Sequence, residues 1–169
     1  VEDALQPGLG GFQLSDFHIK RMLLSPPNWQ AYVPHAALAW QPVPFSTQDV
    51  NNVPNDDSRG VYSFVVQPGI AQHPNCSYLL YVGKVEDQSF RDRYRNYLTE
   101  RNKGENARRV HVSRMLQKWD GFLWFYYAPV DEAALISPIE DALLAAYLPP
   151  ANRRVPAEAR YALAAALDV

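Results

Sequence analysis

The stretch YLLYVGKVEDQSFRDRYRNY (residues 78–97) gathers the side chains that phosphate chemistry uses. Tyr81, Gly83 and Lys84 close an apolar run, and Arg91, Arg93, Arg95 and Tyr97 follow at once. A guanidinium grips phosphate through its planar fork, and an ammonium adds a point charge. Glycine lets a backbone bend closely where a substrate must lie. On local grounds alone, Arg93 covering the core with its stem while its head meets water is the favoured reading.

The elements that must hold these groups follow from periodicity. GVYSFVV from Gly60 and YLLYVGK from Tyr78 are β-branched and aromatic, as strands are, and the turn-rich QPGIAQHPNCS between them reads as a long hairpin loop. SFRDRYRNYLTERN reads as a helix, with Phe90, Tyr94, Tyr97 and Leu98 forming one apolar stripe. At about 100° per residue, Arg93 and Tyr97 lie beside that stripe, while Arg91 and Arg95 lie past its other edge. ARRVHVSRMLQKW is expected to be a second helix capped by Asn106, and GFLWFYYAPV a third strand. SPIEDALLAAYLPP reads as a helix opened by Ser137 and ended by two prolines, and PAEARYALAAAL as a C-terminal helix with Pro156 in its first turn. The order is ββααβαα, an α+β chain. Residues 1–55 are rich in Pro and Gly and form an irregular extension, with a short helix near Leu14 to Leu24 capped by Ser15. Residues 56–169 form the domain proper.

Bulk properties narrow the function. The 169 residues suffice for one core, and no apolar run approaches a membrane span. The start of the chain carries no visible signal peptide, and Cys76 is the lone cysteine, so a reducing, cytoplasmic setting is expected. Net charge is −2, yet nine of the 16 Lys and Arg residues fall between Arg91 and Lys118, opposed there only by Asp92, Glu100 and Glu105. That local excess suits a polyanion, although a solvated pair of mixed-charge helices has the same composition. His73, Cys76 and His111 have no spacing suited to a closed metal site. Trp29, Tyr32 and Trp40 in the extension could pack on the sheet, clamp DNA or meet a protein partner.

Gly60-Val61-Tyr62 and Tyr81-Val82-Gly83, on successive strands, resemble the two tripeptides that name the GIY-YIG nuclease family. Phe90, Arg93 and Tyr97 fit its first-helix pattern, and IEDALLAAYLPPAN supplies Glu140, Pro149 and Asn152 in the family's order. The similarity covers Gly60 to Asn152. It departs from the family in a longer loop between the tripeptides and a helix that starts later, which leaves Arg91 a competitor of Arg93. The resemblance implies a small three-stranded antiparallel sheet flanked by helices, and a DNA endonuclease that uses Mg2+ (or Mn2+). It implies Tyr62 as general base, Arg93 on the scissile phosphate and Glu140 on the metal. Tyr81, Lys84 and Tyr97 would order the water and phosphate, and Gly83, Arg91, Arg95 and Asn152 would line the substrate. On local sequence alone, Ser137 to Glu140 reads rather as a helix capping box, and the family order reverses that preference. A secreted antibacterial toxin with the same site, and a binding module that has lost catalysis, are the alternatives.

Overall fold

The computed structural model describes residues 22–68 and 77–154. The expected helices near Leu14 to Leu24 and after Pro156 lie wholly or mostly outside these residues; Met22 to Leu24 are irregular. The described elements are α1 (Pro26–Ala31), β1 (Gln41–Pro44), β2 (Gly60–Val66), β3 (Tyr78–Val85), α2 (Phe90–Lys103), α3 (Val110–Lys118), β4 (Leu123–Pro129) and α4 (Ala133–Tyr147). The sheet is antiparallel and four-stranded, in the order β1-β4-β2-β3, rather than three-stranded. Its fourth strand comes from the Pro-rich extension. Phe45 N–H bonds the Leu123 carbonyl, so alternation points the nitrogens of Pro42 and Pro44 away from β4. Proline is tolerated at such a sheet edge because its missing N–H faces no partner. The Tyr94 hydroxyl fastens this strand to α2, lying 2.7 Å from the Pro44 carbonyl and accepting from Ser46 N–H at 2.7 Å.

The sheet buries both faces. Tyr62, Phe64 and Phe125 point to one face, which α2 and α3 cover with Phe90, Tyr94, Tyr97, Val112 and Leu116. Val61, Val82 and Ala128 point to the other, which Ile136, Ile139, Leu143 and Leu144 of α4 cover, together with Tyr32 and Trp40. Those two extension aromatics are partly buried against the sheet and α4, while Trp29 is exposed. Burying an aromatic or branched side chain contributes about 1.5–3 kcal/mol, which holds the layers together. Register shifts between Phe64 and Val65, where Leu80 is the extra residue of β3. This bulge turns Leu80 to the face of Tyr81, which regular alternation from Gly83 opposite Tyr62 already places on the Tyr62 side.

The helix starts differ from the sequence expectation at two points. Ser89 caps α2, accepting from Asp92 N–H, as a Ser before an apolar stripe should. Asn106 does not cap α3, because residues 104–106 form a separate 3-10 turn. The Glu100 carboxylate of α2 caps α3 instead, accepting from Arg109 N–H at 2.7 Å, where a negative charge suits a helix N-terminus. Ser137 is no N-cap either. The fourth helix begins a turn earlier, at Ala133, with Pro138 inside it. Its ring costs one hydrogen bond, to the carbonyl four residues back, and the helix continues because Ile136 and Ile139 anchor it on the sheet. Left-handed Leu148 ends it ahead of two prolines.

Candidate active site

Three phenols and two guanidinia meet on the α2 side of the sheet. Tyr62 on β2 is 2 % exposed, and its hydroxyl lies 2.6 Å from that of Tyr97, which is fully buried. Tyr81 stacks on Tyr62 at 6.3 Å between ring centroids and meets Tyr97 edge-on at 6.0 Å. Gly83 lies opposite Tyr62 in the ladder and leaves room for its ring. A Cβ at Gly83 would fall 2.4 Å from the Tyr62 hydroxyl oxygen, so only glycine fits. Gly60 at the head of the other tripeptide is constrained too: a Cβ there would fall 2.2 Å from the Ala128 carbonyl.

The arginines of α2 separate by role. Arg93 lies over the Tyr62 ring, 5.9 Å from its centroid, the distance at which a cation is attracted to an aromatic face. With the Gln88 amide oxygen turned toward it, Arg93 donates Nη2 at 3.0 Å and Nε at 3.2 Å. Its neighbour Arg95 pairs with Asp92 on the exposed side, away from the phenols. Arg91 does not offer a free fork to substrate. Its Nε and Nη2 donate to the carbonyls of Val53 and Asn51, which ties the loop before β2 to α2.

Arg109 is the second guanidinium at the phenols, and the motif pattern did not single it out. It stands just before α3, lies 4.9 Å over the Tyr97 ring and donates Nη1 to the Tyr97 hydroxyl at 3.2 Å. Glu100 steadies it, 3.7 Å from its Nε. Only its place in the basic run ARR marked it in the sequence, since its contact depends on the turn between two helices.

Burial pushes the Tyr62 phenol well above its usual range, Tyr97 and Tyr81 add to that, and Arg93 opposes it. Tyr81 is raised by burial, by Tyr97 and by the nearby Glu140 charge, and lowered by Arg109. Burial would lower Arg109, but its contacts with Tyr97, Tyr81 and Tyr62 more than offset this, so it stays charged. A cluster of this kind holds protons tightly at rest and needs its cations for any phenol to ionise.

Glu140 belongs to a second group, on α4 beside the end of β3. Its side chain is 12 % exposed, and its nearest cation, Arg154, stands 3.9 Å away and is itself 3.0 Å from Asp141. Burial raises the Glu140 carboxyl, Lys84 and Arg154 lower it, and Asp141 and Glu86 raise it again. Lys84 projects here too, paired with Glu86 at 2.9 Å and hydrogen-bonded to Ser137. Tyr81 lies within the electrostatic influence of both Glu140 and Arg109.

Asn152 does not present its amide to substrate. It accepts from Val82 N–H at 2.9 Å and donates to the Val82 carbonyl at 2.7 Å, and Ala151 N–H bonds the Leu80 carbonyl at 2.9 Å. Edge strand β3 has unpaired backbone groups on its outer side, and the turn after α4 satisfies them. Asn152 thereby holds the strand that carries Tyr81, Gly83 and Lys84.

Among the described residues, no group of three or more His, Cys, Asp or Glu gathers to hold a metal, and no helix is long and apolar enough to cross a membrane. Comparison of the chain with protein-family models, curated proteins and solved structures finds no significant match.

Proposed function

We propose that this chain is a divalent-metal-dependent endonuclease that hydrolyses phosphodiester bonds of DNA, with a site of the GIY-YIG kind. The observation that carries the reading is Arg93 over Tyr62, with the Tyr62 hydroxyl 2.6 Å from Tyr97. A phenol pair beneath guanidinia puts a proton acceptor beside a phosphate-binding fork, the two parts that in-line attack by water requires.

Arg93 binds the scissile phosphate and offsets the charge that grows on its nonbridging oxygens. Tyr62, aligned by Gly83 and Tyr97, takes the proton of the attacking water. The basic run from Arg91 to Lys118 gives affinity for the backbone without reading sequence. Glu140 fits a single Mg2+ or Mn2+, because a largely buried carboxylate whose nearest cation, Arg154, stands 3.9 Å off and is shared with Asp141 suits an ion that keeps several waters and takes its other ligands from phosphate. Such an ion, when bound, supplies Lewis-acid stabilisation of the leaving oxygen.

Arg93→Ala is expected to lower turnover about 10²- to 10³-fold, the usual cost of removing a transition-state donor. Arg91→Ala loosens the loop at Val53 instead and spares turnover per folded molecule. Single-turnover cleavage of labelled duplex by both variants checks this, and inactivity of Arg91→Ala with an active Arg93→Ala reverses the assignment.

The pH dependence follows from the raised phenols. Below its pKa, the ionised fraction of a phenol grows tenfold per pH unit, and burial holds Tyr62 well above the ordinary tyrosine value. Cleavage is therefore expected to rise with a slope of about one log unit per pH unit from about pH 6 to 9. A flat single-turnover profile over that range removes phenolate as the base.

A further inference from the structure

Tyr62 alone is a poor base, because it is buried among other phenols that raise it. Among the described residues, its hydroxyl pairs with that of Tyr97, and the Tyr97 hydroxyl accepts from Arg109. Two oxygens 2.6 Å apart share a single proton readily once the pair has lost the other, and that state carries one negative charge. Arg109 donates to the Tyr97 oxygen, and within the Tyr62–Tyr97 pair either hydroxyl can donate to the other. Glu100 holds the guanidinium from its other side, through Nε and through the Arg109 backbone N–H.

We propose that Arg109 is a positioning residue, the fixed counter-ion of a Tyr62–Tyr97 pair that ionises as a unit and serves as the general base. The pair, as a monoanion, takes one proton from the attacking water. The water oxygen forms the new bond to phosphorus, the leaving oxygen departs with the electron pair of the broken bond and takes a proton from solvent, and the pair becomes neutral. It returns its proton to solvent before the next turnover. Arg93 at the Tyr62 ring and Arg109 at the Tyr97 ring divide the work: the first faces phosphate, the second supports the base. This assignment rests on the nuclease reading for its catalytic meaning, but the pairing itself is testable without substrate.

The test uses protein biosynthesised with difluorotyrosine, whose lowered phenol pKa brings the titration into an accessible range. Fluorine NMR follows the resonances of Tyr62 and Tyr97, assigned through Tyr62→Phe and Tyr97→Phe, in metal-free, DNA-free solution. In Arg109→Gln, the first ionisation of the pair is expected to move up by about one pH unit or more, and Arg109→Lys is expected to recover part of the shift. Arg114→Gln, which removes an equal charge paired with Glu105 further along α3, leaves the pair where it was. The cleavage pH profile of unlabelled Arg109→Gln moves to the alkaline side by a similar amount. If both ionisations are unchanged in folded Arg109→Gln, or if Arg114→Gln shifts them equally, the proposal is overturned. Shifted ionisations in a wild-type protein that cuts no DNA uphold the pairing and reject the nuclease reading. An unshifted pair in an active wild type rejects the pairing alone.

Discussion

Glu140→Ala is expected to lower DNA cleavage by on the order of 10³-fold while leaving DNA binding and the fold intact. A metal that stabilises a leaving oxygen contributes several kcal/mol, and each 1.36 kcal/mol is tenfold in rate. Binding survives because Arg93 and the basic run lie on other elements. Stability gives a second readout with the opposite sign. Burial raises the Glu140 carboxyl above its unfolded value, so its ionised form costs folding free energy at neutral pH, and that cost disappears as pH falls through the folded pKa. Glu140→Ala removes the cost, so thermal stability at pH 7 is expected to hold or rise as activity collapses, the trade-off of a group kept for function. Thermal melts beside single-turnover cleavage in Mg2+ check both halves. Cleavage at the wild-type rate, or a Tm falling in step with activity, would mean that Glu140 is a structural acid.

Gly83→Ala is the second large effect. The Cβ would fall 2.4 Å from the Tyr62 hydroxyl oxygen and 2.5 Å from Cζ. The ring cannot swing aside at low cost, since Phe125 stacks on it at 5.3 Å and Tyr97 meets it at 5.7 Å. Gly83 lies in regular β3, so the damage is steric at one side chain. Overpacking of this kind costs about 1–3 kcal/mol of stability, which leaves the protein folded. A base displaced by an ångström loses about 10²-fold in rate. Circular dichroism and single-turnover cleavage of Gly83→Ala test this, and full turnover in the variant would show that the placement of Tyr62 over Gly83 is dispensable.

Local chemistry explains which features could be read from the residues alone. The α2 stripe of Phe90, Tyr94, Tyr97 and Leu98 is buried as its periodicity requires, and the strands holding Tyr62 and Tyr81 pair antiparallel as expected. The departures involve partners distant in sequence. Pro42 and Pro44 suggested an irregular segment, because nothing local reveals that their nitrogens face away from β4. Ser137 before Pro138 imitates a helix start, but the start is set one turn earlier by what α4 buries. Asn106 looked like the cap of α3, a task that Glu100 performs from the preceding helix. Asn152 carries polar chemistry in the right order, and only the docking of its turn on β3 shows that its amide is spent on Val82. Arg109 escaped notice for the same reason: its partner Tyr97 lies twelve positions earlier, across a helix-to-helix turn.

Proposed phosphodiester cleavage by Tyr62 and Arg93, with Glu140 of the second group holding the metal, is tested most directly by incubating the purified chain with supercoiled plasmid between pH 7 and 9, with Mg2+ and then with excess chelator. Nicked and linear products are expected with Mg2+ and none with chelator. Intact plasmid in Mg2+ and in Mn2+ with folded protein, or cleavage that the chelator leaves untouched, would contradict it.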